Sequence, residues 1–487
     1  MILRRAGWRV ASFLAVLCIA AVTAPFITGA EPPDEGECPA ISPRGPDGKP
    51  ETDATPLLIK EGMRVDSEGL MALQTLLPRE IWRHRESFFF EGMLMEIGPC
   101  HRRYPSPQFY EAATTLHAGK ASLDERGNLE HFVAGIPFPQ ASLDLADPMS
   151  AMRWAWNLEK RFRGAGYRGR FRITDFPSRL GSIMQYEGEF FAFQASHRAD
   201  LAEDGYRVPG TQDLLWSTGG RFTSPFGARE LAWRQLRPAS TEGKWSQPDD
   251  VFVYVPNLRK TRRSGTPWVD GAFMPRYSVA DQSQGSGGLA LGGGVSIQPG
   301  AGAALAVTEA ARAGLTGLYL RPNAYRWRIR GEQTVIAPLN VKAPGWPTAK
   351  NRNYGTSGLS LASDRWDVRH AVVIEGLFLQ RSETIRSVTI YIDYQTLQPL
   401  YWITRTGKNR LVEVGILAHR FSSDQPDARP WPDGSPSRVF DPVAASFVNA
   451  LAGRGGWRRE SYELRSSPFT PSTIKRMTTT HSLDRGH

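Results

Sequence analysis

Glu187 and Glu189 are the nearest approach to a paired catalytic group in this 487-residue chain. Two residues apart on a strand, they share a face. Paired carboxylates can cleave glycosides, but the separation that chemistry needs is set across a cleft by different elements. Asp367 and His370 lie close in sequence, yet a lone histidine on an apolar strand reads as a hydrogen-bonded core residue. The nine histidines are scattered and none stands at close ligand spacing. A nucleophile elbow, an HExxH helix, a phosphate-binding loop and a dinucleotide fingerprint in a strand–helix setting are not found. The sequence therefore predicts no catalytic residue, no metal site and no cofactor. Abundant serine leaves a hydrolase open without supporting one.

Three cysteines occur: Cys18, Cys38 and Cys100. The N-terminus has the layout of an export signal: Arg4, Arg5 and Arg9, an apolar run, then Thr28-Gly29-Ala30. Residues 1–30 are read as a signal peptide cleaved near Ala30, with an uncleaved membrane anchor as the alternative. Bulky Leu17 argues against lipidation of Cys18. Two cysteines left in an exported chain read as one disulfide, Cys38–Cys100. Net charge is +10, and +7 without the three signal arginines. An exported basic protein meets phospholipid headgroups, lipopolysaccharide or acidic ligands before nucleic acid.

The stretch VFVYVPNLRKTRR at 251–263 joins a strand to a cluster of cations. Val251, Val253 and Val255 share one strand face, and Pro256 ends regular pairing or marks an edge. Arg259, Lys260, Arg262 and Arg263 are expected just past the strand, at a rim. They either meet an anionic headgroup or keep an edge from pairing with another chain.

These residues need elements to hold them. Residues 31–63 read as an extended Pro- and Gly-rich leader. Asp66 is placed to cap a helix carrying Leu70, Leu73, Leu76 and Leu77, which Pro78 ends or kinks. A second helix is expected over 148–163. From about 185 to 422, runs rich in aromatic and β-branched residues, separated by Gly, Pro, Asp and Ser, predict strands. In Tyr325–Arg330 apolar residues and cations alternate, so one face is buried and the other wet. Trp366, Val368, Val372 and Ile374 are expected to share a face. The glycine-rich stretch 285–302 reads as a surface insertion or a mobile lid. Asp393 and Thr396 bracket a turn, a structural role in which the carboxylate accepts backbone N–H groups.

The phrase IYIDYQTLQPLYWITRTGK resembles a recurrent hairpin of the LolA/LolB-like periplasmic lipoprotein-carrier superfamily. The longer pattern resembles the proteobacterial family called domain of unknown function 1329. The matching phrases are AGIPFP at 134–139, FVYVPNLRKTRR at 252–263, RWDVRHAVVIEG at 365–376, the Asp393 hairpin and SPFTPSTIKR near the C-terminus. The resemblance implies an α+β, mainly β fold: a large curved antiparallel sheet, an incomplete barrel, wrapped around a few helices with an apolar concave face. It implies one domain over 64–476, with 477–487 as a tail. The glycine-rich segment after Asp281 departs from the family pattern.

On this reading the protein is a non-enzymatic periplasmic binding or carrier protein for a lipid, lipoprotein or other hydrophobic ligand. Trp233, Val253, Trp327, Trp366 and Trp402 are candidate cavity-wall residues, and each tryptophan is equally compatible with ordinary core. Partners expected are an amphiphilic ligand, an envelope transporter or outer-membrane protein, and transient contact with a membrane surface. The alternatives are an envelope hydrolase acting on lipid or polymer esters, and a docking module without a ligand.

Overall fold

A computed structural model describes residues 32–41, 56–176, 184–256, 259–263, 289–291, 295–297, 319–343, 354–355, 360–380, 385–450, 456–466, 469–480 and 483. The expected signal peptide lies outside these residues. So does most of the glycine-rich stretch, of which Leu289–Leu291 and Val295–Ile297 pair as two short antiparallel strands.

The alternating runs assemble into one sheet of 15 strands. In chain order these are β1 (Arg64–Val65), β2 (Met95–Cys100), β3 (Gly166–Phe176), β4 (Met184–Gln194), β5 (Leu214–Ser224), β6 (Ala232–Pro238), β7 (Asp250–Val255) and β8 (Lys260–Arg263). They continue as β9 (Tyr325–Ala337), β10 (Arg365–Phe378), β11 (Ser387–Asp393), β12 (Pro399–Arg405), β13 (Leu411–Phe421), β14 (Phe440–Asn449) and β15 (Gly456–Ser466). The spatial order is β8-β7-β6-β5-β4-β3-β15-β14-β13-β12-β11-β10-β2-β1, with β9 also paired to β10. The path does not close among the described residues. The class is mainly β, as expected, but the sheet is mixed, because β2 runs parallel to β10 through Arg365↔Glu96 and Trp366↔Ile97.

The sheet also extends beyond the predicted 185–422. Strand β15 inserts between β3 and β14 and joins the two halves of the chain. The stretch YRWRIRGEQTVIA forms one strand, β9, whose pairing shifts between Ile329 and Gly331. Its first residues alternate in burial as their sequence predicts.

The helix expected over 148–163 is α2 (Ser150–Lys160). Nine of its residues are buried, from Ser150 to Glu159 with Arg153 excepted. It packs against β9 and β10. Trp154, Trp156 and Leu158 join Trp327, Val372, Ile374, Ile390 and Trp402 in one cluster, so the helix fills this face of the sheet. The AGIPFP loop clamps α2: Phe138 N donates to Asn157 Oδ1 at 3.1 Å, and Asn157 Nδ2 returns to Phe138 O at 2.6 Å. The same loop is tied to α1 (Gln108–Leu116), where Ile136 N donates to Thr114 Oγ1 at 3.0 Å. The leucine run at 70–77 is a 3-10 helix, Gly69–Leu76, whose first turn donates from Gly69 N to Asp66 Oδ1 at 2.9 Å. A last helix, α3 (Pro471–Thr478), lies against β4 and β5, so the expected tail begins inside a helix.

Candidate functional site

The five expected wall residues are all buried, and they do not surround one space. Trp233 and Val253 pack in the cluster of β3–β7, Trp327 and Trp402 around α2, and Trp366 in the cluster of the leader and β10. The expected shared face of β10 is divided in the same way, with Trp366 and Val368 in one cluster and Val372 and Ile374 in another.

The four cations are not a rim beyond the strand. Lys260–Arg263 is the outermost strand, returning on β7 with Val255↔Lys260 and Phe252↔Arg263. Pro256 opens the connecting turn, Arg259 N donating to Pro256 O at 3.0 Å. Arg259, Lys260, Arg262 and Arg263 are exposed, and Arg263 pairs with Asp250. A short, charged edge strand discourages pairing with a further chain. Of Glu187 and Glu189, Glu187 is bound by Arg172 at 2.5 Å and Glu189 lines a cleft.

That cleft lies beside α3. Along β4, Tyr186, Phe190 and Ala192 pack into the cluster of β3–β7, so Phe191 and Phe193 face the other way. There they meet Met477 and Ile474 of α3, with Val208, Leu201 and Phe469. Thr470 caps the helix, its Oγ1 accepting from Thr473 N at 3.3 Å, and Pro471 occupies the first turn. The C-terminal carbonyls are met by Arg234, whose Nη1 donates to Arg476 O at 2.5 Å and to Thr479 O at 2.6 Å. The Arg234 guanidinium also lies 5.0 Å from the centre of the Phe191 ring. Burial pulls its pKa down to about 10, so it remains a cation at neutral pH. Ser217 Oγ adds a bond to Met477 O at 2.6 Å.

Two clefts flank this helix. One, of 480 Å³, has Phe191, Met477 and Leu483 among its apolar lining, with Arg168, Arg170, Arg221, Arg234 and Arg476 around them. The other, of 630 Å³, lies at the start of α3 among Phe109, Phe193, Leu201, Val208, Trp431, Phe469 and Ile474. The larger cleft is edged by Arg198 and by Asp200, Glu203, Asp204 and Asp433; the smaller, an apolar floor under guanidinium groups, suits an amphiphile with an anionic end. The FFAF run shows the aromatic pattern in sequence. Arg234, however, sits inside an ordinary strand motif, and only its place under a helix end distinguishes it.

Several buried charges elsewhere are paired. Arg369 holds Asp393 through Nε at 2.7 Å and Nη2 at 3.0 Å, and Thr396 N donates to Asp393 at 2.8 Å. Burial pushes the Asp393 carboxyl up, but Arg369 and Thr396 outweigh it and hold it below the ordinary range. This fits the structural turn role read from the sequence. His370 Nε2 lies 3.1 Å from Glu332. Burial likewise raises Glu242, while Lys160 and His197 bring it down to about 2. Among the described residues no three His, Cys, Asp or Glu side chains converge as metal ligands, and no helix is long and apolar enough to cross a membrane.

Residues 88–290 match the family model described as proteins of unknown function, DUF1329. No curated protein matches the chain. Among solved structures it is similar to an outer membrane lipoprotein-sorting protein domain from Vibrio parahaemolyticus, at 11% identity, TM-score 0.38, over 70% of this chain and all of that one. A DUF1329 family protein from Desulfovibrio piger is similar at 11% identity and TM-score 0.39, over 69% of this chain and all of that one. A LolA superfamily protein from Nitrosomonas europaea is similar at 13% identity and TM-score 0.33, over 69% of this chain and 98% of that one.

Proposed function

Proceeding from the DUF1329 match over residues 88–290, we propose that the protein is a non-enzymatic periplasmic carrier of an amphiphilic or hydrophobic ligand, seated along α3. The observation that carries this reading is the aromatic floor of Phe191 and Phe193, which α3 crosses and which opens on one side into a cleft bordered by arginines and on the other into a larger apolar cleft edged by Arg198 and the carboxylates of Asp200, Glu203, Asp204 and Asp433. Removing an acyl chain from water onto such a floor is favourable by roughly 25 cal/mol per Å² of apolar area, and guanidinium groups pair with its anionic end. The Cys38–Cys100 disulfide supports an oxidising compartment, in line with the export signal read at residues 1–30. Delivery then requires a membrane surface or an envelope partner that draws the ligand past the helix.

Native mass spectrometry of protein released gently from the periplasm, followed by solvent extraction, tests the reading. A stoichiometric amphiphile is expected. Vesicles containing brominated acyl chains should quench part of the tryptophan fluorescence, and Trp431→Phe should remove that part, because Trp431 lines the larger cleft. A protein that emerges empty and takes up no brominated lipid refutes the carrier function.

A further inference from the structure

A third cleft, of 530 Å³, lies away from α3. On β10, Val372 and Ile374 pack with α2, whereas Val373 and Glu375 line this cleft, so it opens on the face of β9–β12 turned from that helix. Its far wall is the helical turn Arg79–Arg83. The lining holds five arginines (79, 83, 328, 330 and 405) and no lysine, against three carboxylates, Glu80, Glu332 and Glu375.

Their pairing leaves positive charge over. Arg405 pairs with Glu80, Arg328 with Glu375 at 2.5 Å, and Glu332 accepts from His370 at 3.1 Å. Arg330 reaches Glu375 only through Nε at 3.8 Å, and that carboxylate is already engaged. Arg79 and Arg83 are exposed and make no ion pair with a described residue. The strand is shaped for this arrangement. Arg328 is registered with Glu375 and Gly331 with Val373, so Arg330 is an additional residue at a bulge. Gly331 has φ +133°, a conformation that residues with a Cβ rarely adopt, and bulges re-aim side chains in this way. Tyr391 adds a hydroxyl that burial keeps protonated, its pKa pushed up to about 12, and Gln333 and Asn409 add amides.

We propose that this cleft binds a phosphorylated polar ligand, with Arg79, Arg83 and Arg330 receiving the phosphate and Tyr391, Gln333 and Asn409 its hydroxyl-bearing remainder. The charge count selects the class. Five cations over three carboxylates leave an excess of two, which one phosphomonoester, carrying about −1.5 to −2 at neutral pH, neutralises. Guanidinium forks also match phosphate oxygens two at a time, which an ammonium does not. The same group occurs on a free sugar phosphate and on a lipid headgroup. The site is independent of the apolar seat along α3.

Calorimetric titration of the full mature chain with inorganic phosphate tests the site. Saturable binding is expected, weakened about 10-fold or more in Arg79→Ala/Arg83→Ala and separately in Arg330→Ala. Lys260→Ala/Arg262→Ala on the edge strand removes equal charge elsewhere and should leave the affinity unchanged. No binding to the unsubstituted chain, equal binding by the Arg79/Arg83 variant, or equal weakening in the edge-strand control overturns the proposal. With the site established, flotation on phosphatidylcholine vesicles with and without phosphatidic acid assigns the source. Phosphatidic-acid-dependent flotation lost with Arg79 and Arg83 marks a lipid headgroup; phosphate binding without flotation marks a soluble ligand.

Discussion

At the residue scale the sharpest consequence concerns Asp367. Its Oδ2 accepts from the Tyr104 hydroxyl at 2.5 Å, while its Oδ1 is buried without a hydrogen bond and lies 3.9 Å from Arg365 Nε. Gly98 makes room for it, since a Cβ there would stand 2.1 Å from Oδ1. Burial dominates: it lifts the carboxyl from an ordinary 3.8 to about 6, against the pull of Tyr104, Arg369, Arg365 and Arg102. The folded protein therefore holds this proton after the unfolded chain has released it. What the residue contributes is intact below about pH 4 and is lost as the pH rises to about 6, a cost of ~3 kcal/mol. Asp367→Asn keeps the shape and cannot ionise. Relative to the unsubstituted protein, its urea midpoint should improve progressively from pH 4 to 6 and stay level above. Asp441, also lifted to about 6 by burial, and His419, lowered by burial to about 3, cancel in that difference. Parallel profiles for the two proteins would show that Asp367 does not hold its proton.

At the scale of elements, α3 is the piece whose attachment can be weakened selectively. Arg234 joins β6 to the helix's C-terminal carbonyls, which have no intrahelical donors of their own. Arg234→Met retains the stem and removes both bonds, costing about 1–3 kcal/mol. Hydrogen exchange should rise over 471–478 and leave β11–β13 unchanged; protection unaltered in α3 would mean that Met477 and Ile474 hold it alone. Such an attachment is hard to read from sequence, because it depends on which strand passes under the helix. Local periodicity was more legible. RWDVRHAVVIEGLF and LVEVGILAHRF coincide with β10 and β13, and MSAMRWAWNLEK contains α2. Other strands break the usual pattern for physical reasons. In β15 the alternation is charged against charged, because Arg458 and Glu460 are buried as a pair at 2.7 Å. Strand β5 carries Gly219-Gly220, and β14 admits Pro442 opposite a register shift at His419. The cleft below Arg79 and Arg83 was equally hidden, since its walls come from segments some 250 residues apart and a bulge sets its geometry.

At the scale of the whole molecule, the leader is held to a sheet whose main pairings do not depend on it. Cys38 and Cys100 close a separation of 62 residues at the end of β2, and Gly36 N donates to Cys100 O at 2.8 Å. The segment that follows is bound to distant parts of the chain. Arg102 makes a two-pronged bond to Asp424 at 2.7 and 2.9 Å, and Arg103 N donates to Glu35 at 3.0 Å. Strand β2 meets β10 only by its short parallel register, whereas β10 through β15 pair along their lengths. Closing a loop of this size removes unfolded-state entropy worth about 4 kcal/mol in the chain-entropy model. Little of that stabilisation is spent on β11–β14, so loss of the bridge should act locally first. In Cys38→Ser/Cys100→Ser, hydrogen exchange is expected to accelerate over 32–41, 56–65 and 95–104, with β11–β13 retaining their protection and the thermal midpoint falling. Uniform acceleration across the sheet would instead make the leader part of one cooperative unit. An unchanged protein would mean that the contacts of Arg102 and Arg103 suffice without the bridge. In a reducing compartment the bond that fastens these first strands would not persist.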